Sequence, residues 1–170
     1  MMESLLKVLL GLGSNQGQSR AVFRDCLDRL ARDGDVLATS RLWRTRAIGP
    51  SQPDYLNAAA IVAWPREPRH LLDRCRQLET AAGRDRSQEE RWGPRCLDLD
   101  LLMADGLVHR SPTLELPHPR FHQRRFALEP AAEIAADWVQ PFLGLTVEEL
   151  TERARQQEPD AILGVSNSQF

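Results

Sequence analysis

Hydrophobic and polar positions follow two different periods along this chain, and the change of period predicts a mixture of strands and helices. Short apolar runs bounded by turn residues predict three strands, at 5–12, 36–43 and 56–63. Apolar positions three or four residues apart predict two helices, at 20–32 and 69–82. Ser19 is the expected cap of the first helix, and Gly34 and Gly83 close the two helices.

A fourth strand is predicted around residues 97–101, where leucine and aspartate alternate. Asp105-Gly106 then predicts a hairpin turn, and Thr146 with Glu149 forms a capping-box signature for a last helix that runs through Gln157. The order βαββαβ is that of a ferredoxin-like α+β fold, an antiparallel sheet with helices packed on it. With the later elements added, we expect three layers, α/β/α.

The length of 170 residues suits one domain with a proper core, which we expect over 1–160. Residues 161–170 lack periodicity, and we expect them to form a loose tail. The net charge of −2 offers no basic surface for nucleic acid. Lys7 is the only lysine, which excludes a phosphate-binding P-loop, since that motif needs a lysine after its glycines.

The three cysteines, Cys26, Cys75 and Cys96, are widely spaced and include no C-x-x-C pair. This pattern favours small buried thiols in a reducing compartment over a disulfide or zinc framework. The first residues lack the basic region and cleavage pattern of a secretory signal, and every apolar run is too short to span a bilayer. We therefore expect a cytoplasmic protein that binds neither membranes nor nucleic acid.

Asp98 and Asp100 are the strongest candidates for chemistry. Residues i and i+2 of a strand share a face and lie roughly 6.6 Å apart along it. Two such carboxylates can reach a pair of cations roughly 3.5–4 Å apart, the spacing of two-metal phosphoryl-transfer sites. Arg91 and Arg95 lie just upstream, and guanidinium suits bidentate phosphate binding. The simpler alternative is a solvated strand face, but adjacent like charges disfavour ionising both unless a cation intervenes. The segment therefore predicts a magnesium–nucleotide site.

Three other segments are less decisive. Gly11 and Gly13 follow a strand, but the third glycine of a dinucleotide-binding motif is missing at Gln16, so a tight turn is the better interpretation. Tyr55 and Asn57 share a strand face, where a ring and an amide could hold a flat heterocycle or simply begin a strand. The spacing of His118 and His122 could bind zinc on a helix. No third ligand is near, and Pro119 allows only a helix start, so phosphate contacts by His118 with Arg124 and Arg125 fit better.

Five motifs occur in the order and at the spacing of a known family. They are Gly11-Leu12-Gly13-Ser14-Asn15, Tyr55-Leu56-Asn57-Ala58, Gly83-Arg84, Arg91-Trp92-Gly93-Pro94-Arg95 with Leu97-Asp98-Leu99-Asp100, and Pro117-His118 with Arg124-Arg125-Phe126. Together they resemble the 6-hydroxymethyl-7,8-dihydropterin pyrophosphokinases of folate biosynthesis. The resemblance extends from about Leu6 to Leu150, nearly the whole chain.

The resemblance implies a role for each matching position. The implied metal ligands for two Mg²⁺ ions are Asp98 and Asp100, which with Arg84 and Arg95 form the implied catalytic set. The implied contacts with ATP, the co-substrate, are Glu79, Arg84, Arg86, Trp92, Arg95, Leu101, Leu114, His118 and Arg124. The implied pterin pocket comprises Thr45, Ile48, Tyr55, Asn57, Trp92 and Phe126, with the rings of Tyr55 and Phe126 on the two sides of the substrate. Arg84, Arg86 and Trp92 fall on the family's mobile catalytic loop.

The implied reaction transfers pyrophosphate from ATP to the hydroxymethyl group of a dihydropterin and releases AMP, with ATP and the pterin as the only partners of a monomer. Arg46 departs from the family pattern, and the loop between Arg86 and Arg91 is longer by one residue. The alternatives are a related pyrophosphokinase acting on another pterin or heterocycle, a nucleotide-binding module without activity, and a metal-dependent hydrolase using the two aspartates.

Overall fold

The computed structural model describes residues 5–88, 91 and 93–170. In chain order, its elements are β1 (Leu6–Ser14), α1 (Ser19–Leu30), β2 (Asp35–Thr39), β3 (Arg41–Thr45), β4 (Tyr55–Trp64), α2 (Pro68–Ala81), β5 (Asp98–Ala104), β6 (His109–Arg110), β7 (Glu115–Leu116), a 3₁₀ turn (Phe121–Gln123), α3 (Arg125–Ala135), β8 (Val139–Gln140), β9 (Leu145–Thr146), α4 (Val147–Gln157) and β10 (Ile162–Gln169).

The main sheet has the strand order β10-β3-β4-β1-β5, and β2 also pairs with β4. Every pairing in it is antiparallel. Two crossover helices, α1 and α2, connect strands that are not neighbours in the sheet. This topology confirms the predicted ferredoxin-like α+β fold.

Helices cover both faces of the sheet. On one face, Phe23 of α1 and Leu71 of α2 are fully buried against strand residues such as Val8. On the other face, Leu128 of α3 and Leu150 of α4 pack against a second set of strand residues. Each fully buried side chain of this size contributes roughly 1.5–3 kcal/mol to folding. The three predicted layers are present, and the capping box of Thr146 and Glu149 begins α4 as expected.

Two sequence expectations about the first half need correction. The strand expected at 36–43 is two strands, because the Ser40 hydroxyl accepts from the Ala59 N–H and donates to the Arg41 carbonyl, which interrupts the ladder. Ser19 does not cap α1; it is the first helical residue, and its hydroxyl lies 2.7 Å from that of Ser14. A hydroxyl with a closer tertiary partner is not free to cap.

The last residues are also different from the expectation of a loose tail. Residues Ile162–Gln169 form β10, which pairs antiparallel with β3 at the edge of the sheet, and the Phe170 ring lies 5.5 Å from that of Phe23. The strand was not visible in the sequence because both its register and its burial are irregular. Helix α3 was also not predicted, since Pro130 in its interior argues against a helix. None of the helices in the described part of the chain is long and apolar enough to cross a membrane.

Candidate active site

The candidate site is built around Gly13, a position in the sheet that has no side chain. Gly13 of β1 lies directly between Asn57 of β4 and Asp98 of β5, so these three positions share one face. A Cβ atom at Gly13 would lie 3.3 Å from Asn57 Oδ1. The tight turn expected at the glycines is therefore wrong, because β1 continues through Ser14. The glycines instead leave space between an amide and a carboxylate.

A cavity of about 460 Å³ opens over this gap. Most of the side chains implied by the family resemblance line it. They are Thr45, Ile48, Tyr55, Asn57, Glu79, Arg84, Arg86, Arg95, Asp98, Asp100, His118, Arg124 and Phe126. Leu101 and Leu114 are buried in the hydrophobic core and are not among the lining residues. Trp92, expected on both the ATP and the pterin side, lies outside the described residues.

The carboxylates at one end of the cavity are paired with arginines. Asp98 Oδ1 accepts from Arg84 at 3.0 Å and from Arg95 at 2.9 Å, and Asp100 Oδ2 accepts from Arg124 at 3.3 Å. Burial, together with the neighbouring charge of Asp98, raises the pKa of Asp100 to about 6. The charged form of Asp100 is therefore costly, even with an arginine beside it.

Glu79 of α2 holds this end of the cavity together. Its buried carboxylate accepts from the backbone N–H of Leu99 at 2.9 Å, and β5 is the edge strand of the sheet. The same carboxylate contacts Arg84 at 2.7 Å and pairs with Arg86. Burial raises its pKa, although the Leu99 hydrogen bond and Arg84 oppose the shift. Glu79 therefore anchors two arginines and caps an edge amide at once.

His118 presents a defined face to the cavity. Its Nδ1 accepts from the backbone N–H of Arg120 at 3.1 Å. Burial and the positive charges of Arg124 and Arg120 lower its pKa to about 4. The ring is therefore neutral at pH 7, and with Nδ1 as the acceptor its proton is on Nε2. This nitrogen can donate a hydrogen bond to an anion.

The other end of the cavity is lined mostly by uncharged side chains and is called the neutral end below; Arg46, between Thr45 and Ile48 in the chain, is a charged lining residue beside it. Asn57 Nδ2 donates to Thr45 Oγ1 at 2.6 Å, and both residues are buried. The Tyr55 hydroxyl donates to the carbonyl of Gly93 at 3.0 Å. Phe126 is the second residue of α3, and the centroid of its ring lies 5.7 Å from the Arg124 guanidinium. An amide and aromatic rings of this kind suit a flat, hydrogen-bonding heterocycle.

Residues 9–136 match the family model for 7,8-dihydro-6-hydroxymethylpterin-pyrophosphokinase. The chain belongs to this family. A pyrophosphokinase from Synechocystis sp. is 38% identical over 147 residues, which cover 85% of this chain and 74% of the relative. A second, from Methylorubrum extorquens, is 39% identical over 138 residues, covering 79% and 86%. Both carry the name 2-amino-4-hydroxy-6-hydroxymethyldihydropteridine pyrophosphokinase.

Solved structures share the fold. An HPPK-DHPS structure in complex with substrates matches with a TM-score of 0.70 at 9% identity. It covers 91% of this chain and 44% of the solved chain. A Plasmodium falciparum HPPK-DHPS structure gives a TM-score of 0.70 at 12% identity, covering 94% and 46%. This chain therefore spans less than half of these longer chains, and the likeness concerns the fold.

The cavity of this pyrophosphokinase also has lining residues that the sequence analysis missed. Leu72, Cys75 and Arg76 of α2 line it, as does Arg120 after the 118–119 segment. With Glu79, the three α2 positions have the spacing i, i+3, i+4 and i+7, which places them on one helix face. That spacing was available in the sequence, but it equally describes an ordinary core-facing stripe.

The donor set of the site fits magnesium. Among the described residues, no group of three or more His, Cys, Asp and Glu side chains is placed to enclose a metal ion, and the zinc alternative for His118 and His122 gains no support. Mg²⁺ is commonly held by only one or two carboxylates together with substrate phosphates. Asp98 and Asp100, facing a cavity rich in arginine, supply that number of carboxylates.

Proposed function

We propose that this chain transfers pyrophosphate from ATP to the hydroxymethyl group of 6-hydroxymethyl-7,8-dihydropterin. The hydroxymethyl oxygen attacks the β-phosphorus of ATP while the bond from that phosphorus to the α–β bridging oxygen breaks. AMP leaves with the bridging oxygen, and the hydroxyl proton is released. The observation that carries the proposal is the composition of the cavity, whose lining combines arginines and three carboxylates with an amide and aromatic rings that suit a heterocycle.

The charged end receives the triphosphate of ATP. Arg84, Arg95 and Arg124 all line this end, within 3.3 Å of carboxylate oxygens. An incoming triphosphate gives each guanidinium a further anionic partner, with the bidentate geometry that arginine favours. Neutral His118 adds one Nε2–H donor. Donors fixed in a partly buried site stabilise charge that develops on the β-phosphate and on the departing AMP.

Asp98 and Asp100 would hold magnesium, and we assign two ions to the pair. Held there with the nucleotide, magnesium would supply neutralisation of phosphate charge and Lewis-acid activation of phosphoryl oxygens. The residues of the chain set the geometry around that position. The hydrogen bond from Leu99 to Glu79 fixes the strand between the two aspartates, so both carboxylates keep the same face of β5.

The neutral end binds the pterin. Because Asn57 donates its Nδ2 to Thr45, its Oδ1 remains as an acceptor beside the space at Gly13. A heterocycle with an N–H edge satisfies that acceptor, and the rings of Tyr55 and Phe126 enclose its faces. Loss of such a buried partner is expensive, which gives the site selectivity for ligands that carry the matching donor.

We also assign this activity to a monomer in the cytoplasm. The thiols of Cys26 and Cys75 are buried and free, and burial raises the pKa of Cys26 to about 12. Such thiols are unreactive structural residues, in keeping with a reducing compartment. Sedimentation at several protein concentrations tests the monomer, and a single species of about 19.3 kDa is the expected result.

The decisive experiment measures AMP release from ATP with and without 6-hydroxymethyl-7,8-dihydropterin, in Mg²⁺ and in EDTA. We expect AMP and the pyrophosphorylated pterin in equal amounts, only when both Mg²⁺ and the dihydropterin are present. Release of AMP or ADP without the pterin would indicate a hydrolase instead. Nucleotide binding without turnover would indicate a binding module, and turnover only with another heterocycle would indicate a different substrate.

A further inference from the structure

Asn15 makes hydrogen bonds to segments at both ends of the cavity. It follows directly after β1 and is only 8% exposed. It is not among the residues that line the cavity, so the proposed roles in binding ATP and pterin leave it without a function. Its hydrogen bonds lead to both ends.

Toward the charged end, Asn15 holds the backbone of Arg95. The side-chain Oδ1 of Asn15 accepts from the backbone N–H of Arg95 at 2.8 Å. The backbone N–H of Asn15 donates to the Arg95 carbonyl at 3.0 Å. The side chain of Arg95 in turn donates to Asp98 at 2.9 Å. The position of an arginine that meets the phosphates is therefore fixed from β1.

Toward the neutral end, the same amide holds the loop between β3 and β4. Asn15 Nδ2 donates to Gln52 Oε1 at 2.9 Å and to the Pro53 carbonyl at 3.0 Å. Gln52 also donates to the carbonyl of Ile48 at 3.3 Å, and Tyr55 follows two residues after Pro53. Both N–H groups of the amide are thereby used on this loop, and its oxygen on Arg95.

The geometry assigns Asn15 as a positioning residue that ties the pterin loop to the phosphate-binding arginine, an inference that rests on the function proposed above. Only an amide side chain offers an acceptor for Arg95 and two donors for the loop within one planar group. Alanine lacks both, whereas aspartate keeps the acceptor and would face the Pro53 carbonyl with a negative oxygen. Asn15→Asp therefore removes the contacts with the loop alone, whereas Asn15→Ala removes the contact with Arg95 as well.

Steady-state kinetics of Asn15→Asp and Asn15→Ala test the assignment. In Asn15→Asp we expect the KM for the dihydropterin to rise about thirtyfold, since two buried hydrogen bonds of about 1 kcal/mol each are lost and about 1.4 kcal/mol corresponds to a factor of ten. The KM for ATP should stay within twofold of the original. In Asn15→Ala, kcat should also fall by roughly tenfold to a hundredfold, because Arg95 loses its position.

A second substitution and a matched control distinguish positioning from general damage. Gln52→Ala alone should raise the pterin KM, and its effect should be less than additive with that of Asn15→Asp, because both substitutions remove the same Asn15–Gln52 hydrogen bond. The matched control is Gln16→Ala, at the next position in the chain. It removes the hydrogen bond that the Cys96 thiol donates to Gln16 Oε1 at 3.5 Å, and it should change each kinetic constant less than twofold. Additive effects of the Asn15 and Gln52 substitutions, or unchanged constants in both Asn15 variants, would overturn the assignment.

Hydrogen exchange gives a readout that is independent of turnover. Amides in 46–54 should exchange faster in Asn15→Asp, and the Arg95 amide should exchange faster only in Asn15→Ala. If Asn15→Ala does not fold, Asn15→Asp and Gln52→Ala still test the contact with the 46–54 loop, and unchanged pterin KM and exchange in both would overturn the assignment. A failure of the original protein to pyrophosphorylate the dihydropterin would contradict the proposed function alone, whereas unchanged exchange in these variants would contradict the tie.

Discussion

The two ends of the cavity differ in how their polar groups are paired. At the nucleotide end, the paired groups are ions: Asp98 lies within 3.0 Å of two arginine nitrogens, and Asp100 lies 3.3 Å from Arg124. At the pterin end they are neutral, with Asn57 donating to Thr45 at 2.6 Å. At the nucleotide end, a bound ligand must compete with existing ion pairs between arginines and carboxylates. At the pterin end, it meets the amide of Asn57 in a fixed orientation.

This difference shows which end limits specificity and which limits rate. Neutral groups with fixed partners select a ligand by the buried hydrogen bonds that it completes. Paired charges are expensive to bury, and they gain most when charge develops on a substrate. We therefore expect substitutions at the ionic end to reduce kcat, and those at the neutral end to raise the KM of the pterin.

The largest effect is expected at the carboxylates. Asp98→Asn and Asp100→Asn should each reduce kcat by more than about 10³-fold, because an amide cannot neutralise the charge of a bound metal. Steady-state assays of AMP release measure the loss, and circular dichroism should show an intact fold. Asp73→Asn, at an exposed carboxylate of α2, is the matched control. Near-normal turnover in either cavity variant would refute the metal assignment.

The next effect concerns the arginines. Arg84→Ala and Arg95→Ala should each lower kcat by about 10²–10³-fold, with a smaller change in the KM for ATP, because they act on charge that develops during transfer. Arg29→Ala removes an arginine that pairs with Asp25 at 2.9 Å on α1, and it should leave turnover unchanged. A raised KM for ATP with an unchanged kcat would make Arg84 and Arg95 simple anchors.

Features that depend on a local pattern could be predicted from the sequence, and features that depend on how distant strands pair could not. The strand of Asp98 and Asp100 is local, since period two alone places both carboxylates on one face. The ferredoxin-like fold class was also predictable, because the order of strands and helices can be read along the chain. The contribution of Gly13 depends on the register that places it between two other strands, and no local pattern contains that register. Strand β10 was missed because an edge strand needs no regular alternation.

A smaller effect is expected at the neutral end. Asn57→Ala should raise the KM for the dihydropterin by about tenfold, because the ligand loses a buried hydrogen-bond partner. The KM for ATP should change little. Thr45→Val should act in the same direction, because it removes the acceptor that orients Asn57, whereas Thr45→Ser keeps the hydroxyl and should be nearly silent. Steady-state kinetics measure both KM values, and calorimetry measures the affinity for the pterin. An equal loss of affinity for ATP would contradict the assignment of the pterin to one end and the nucleotide to the other.

The smallest effect is one of stability, and it follows from the pKa of Asp100. Burial and the charge of Asp98 raise that pKa to about 6, from an ordinary value of 3.8. Between these values the folded chain binds more protons than the unfolded chain, so this carboxyl favours folding below about pH 4 and loses that contribution as the pH rises through 6.

The variant Asp100→Asn tests this contribution, because its amide does not titrate. Its Tm should therefore differ little from that of the original protein at pH 4 and exceed it by about 5–10 °C at pH 7, because a rise in pKa from 3.8 to about 6 corresponds to roughly 2–3 kcal/mol over this pH range. Thermal unfolding of both proteins at the two pH values measures the difference directly, and Asp73→Asn, at an exposed carboxylate, again serves as the control. A Tm difference for Asp100→Asn that does not change with pH would show that the ionic end holds its carboxylates without cost, and the contrast between the two ends would then be one of chemistry alone.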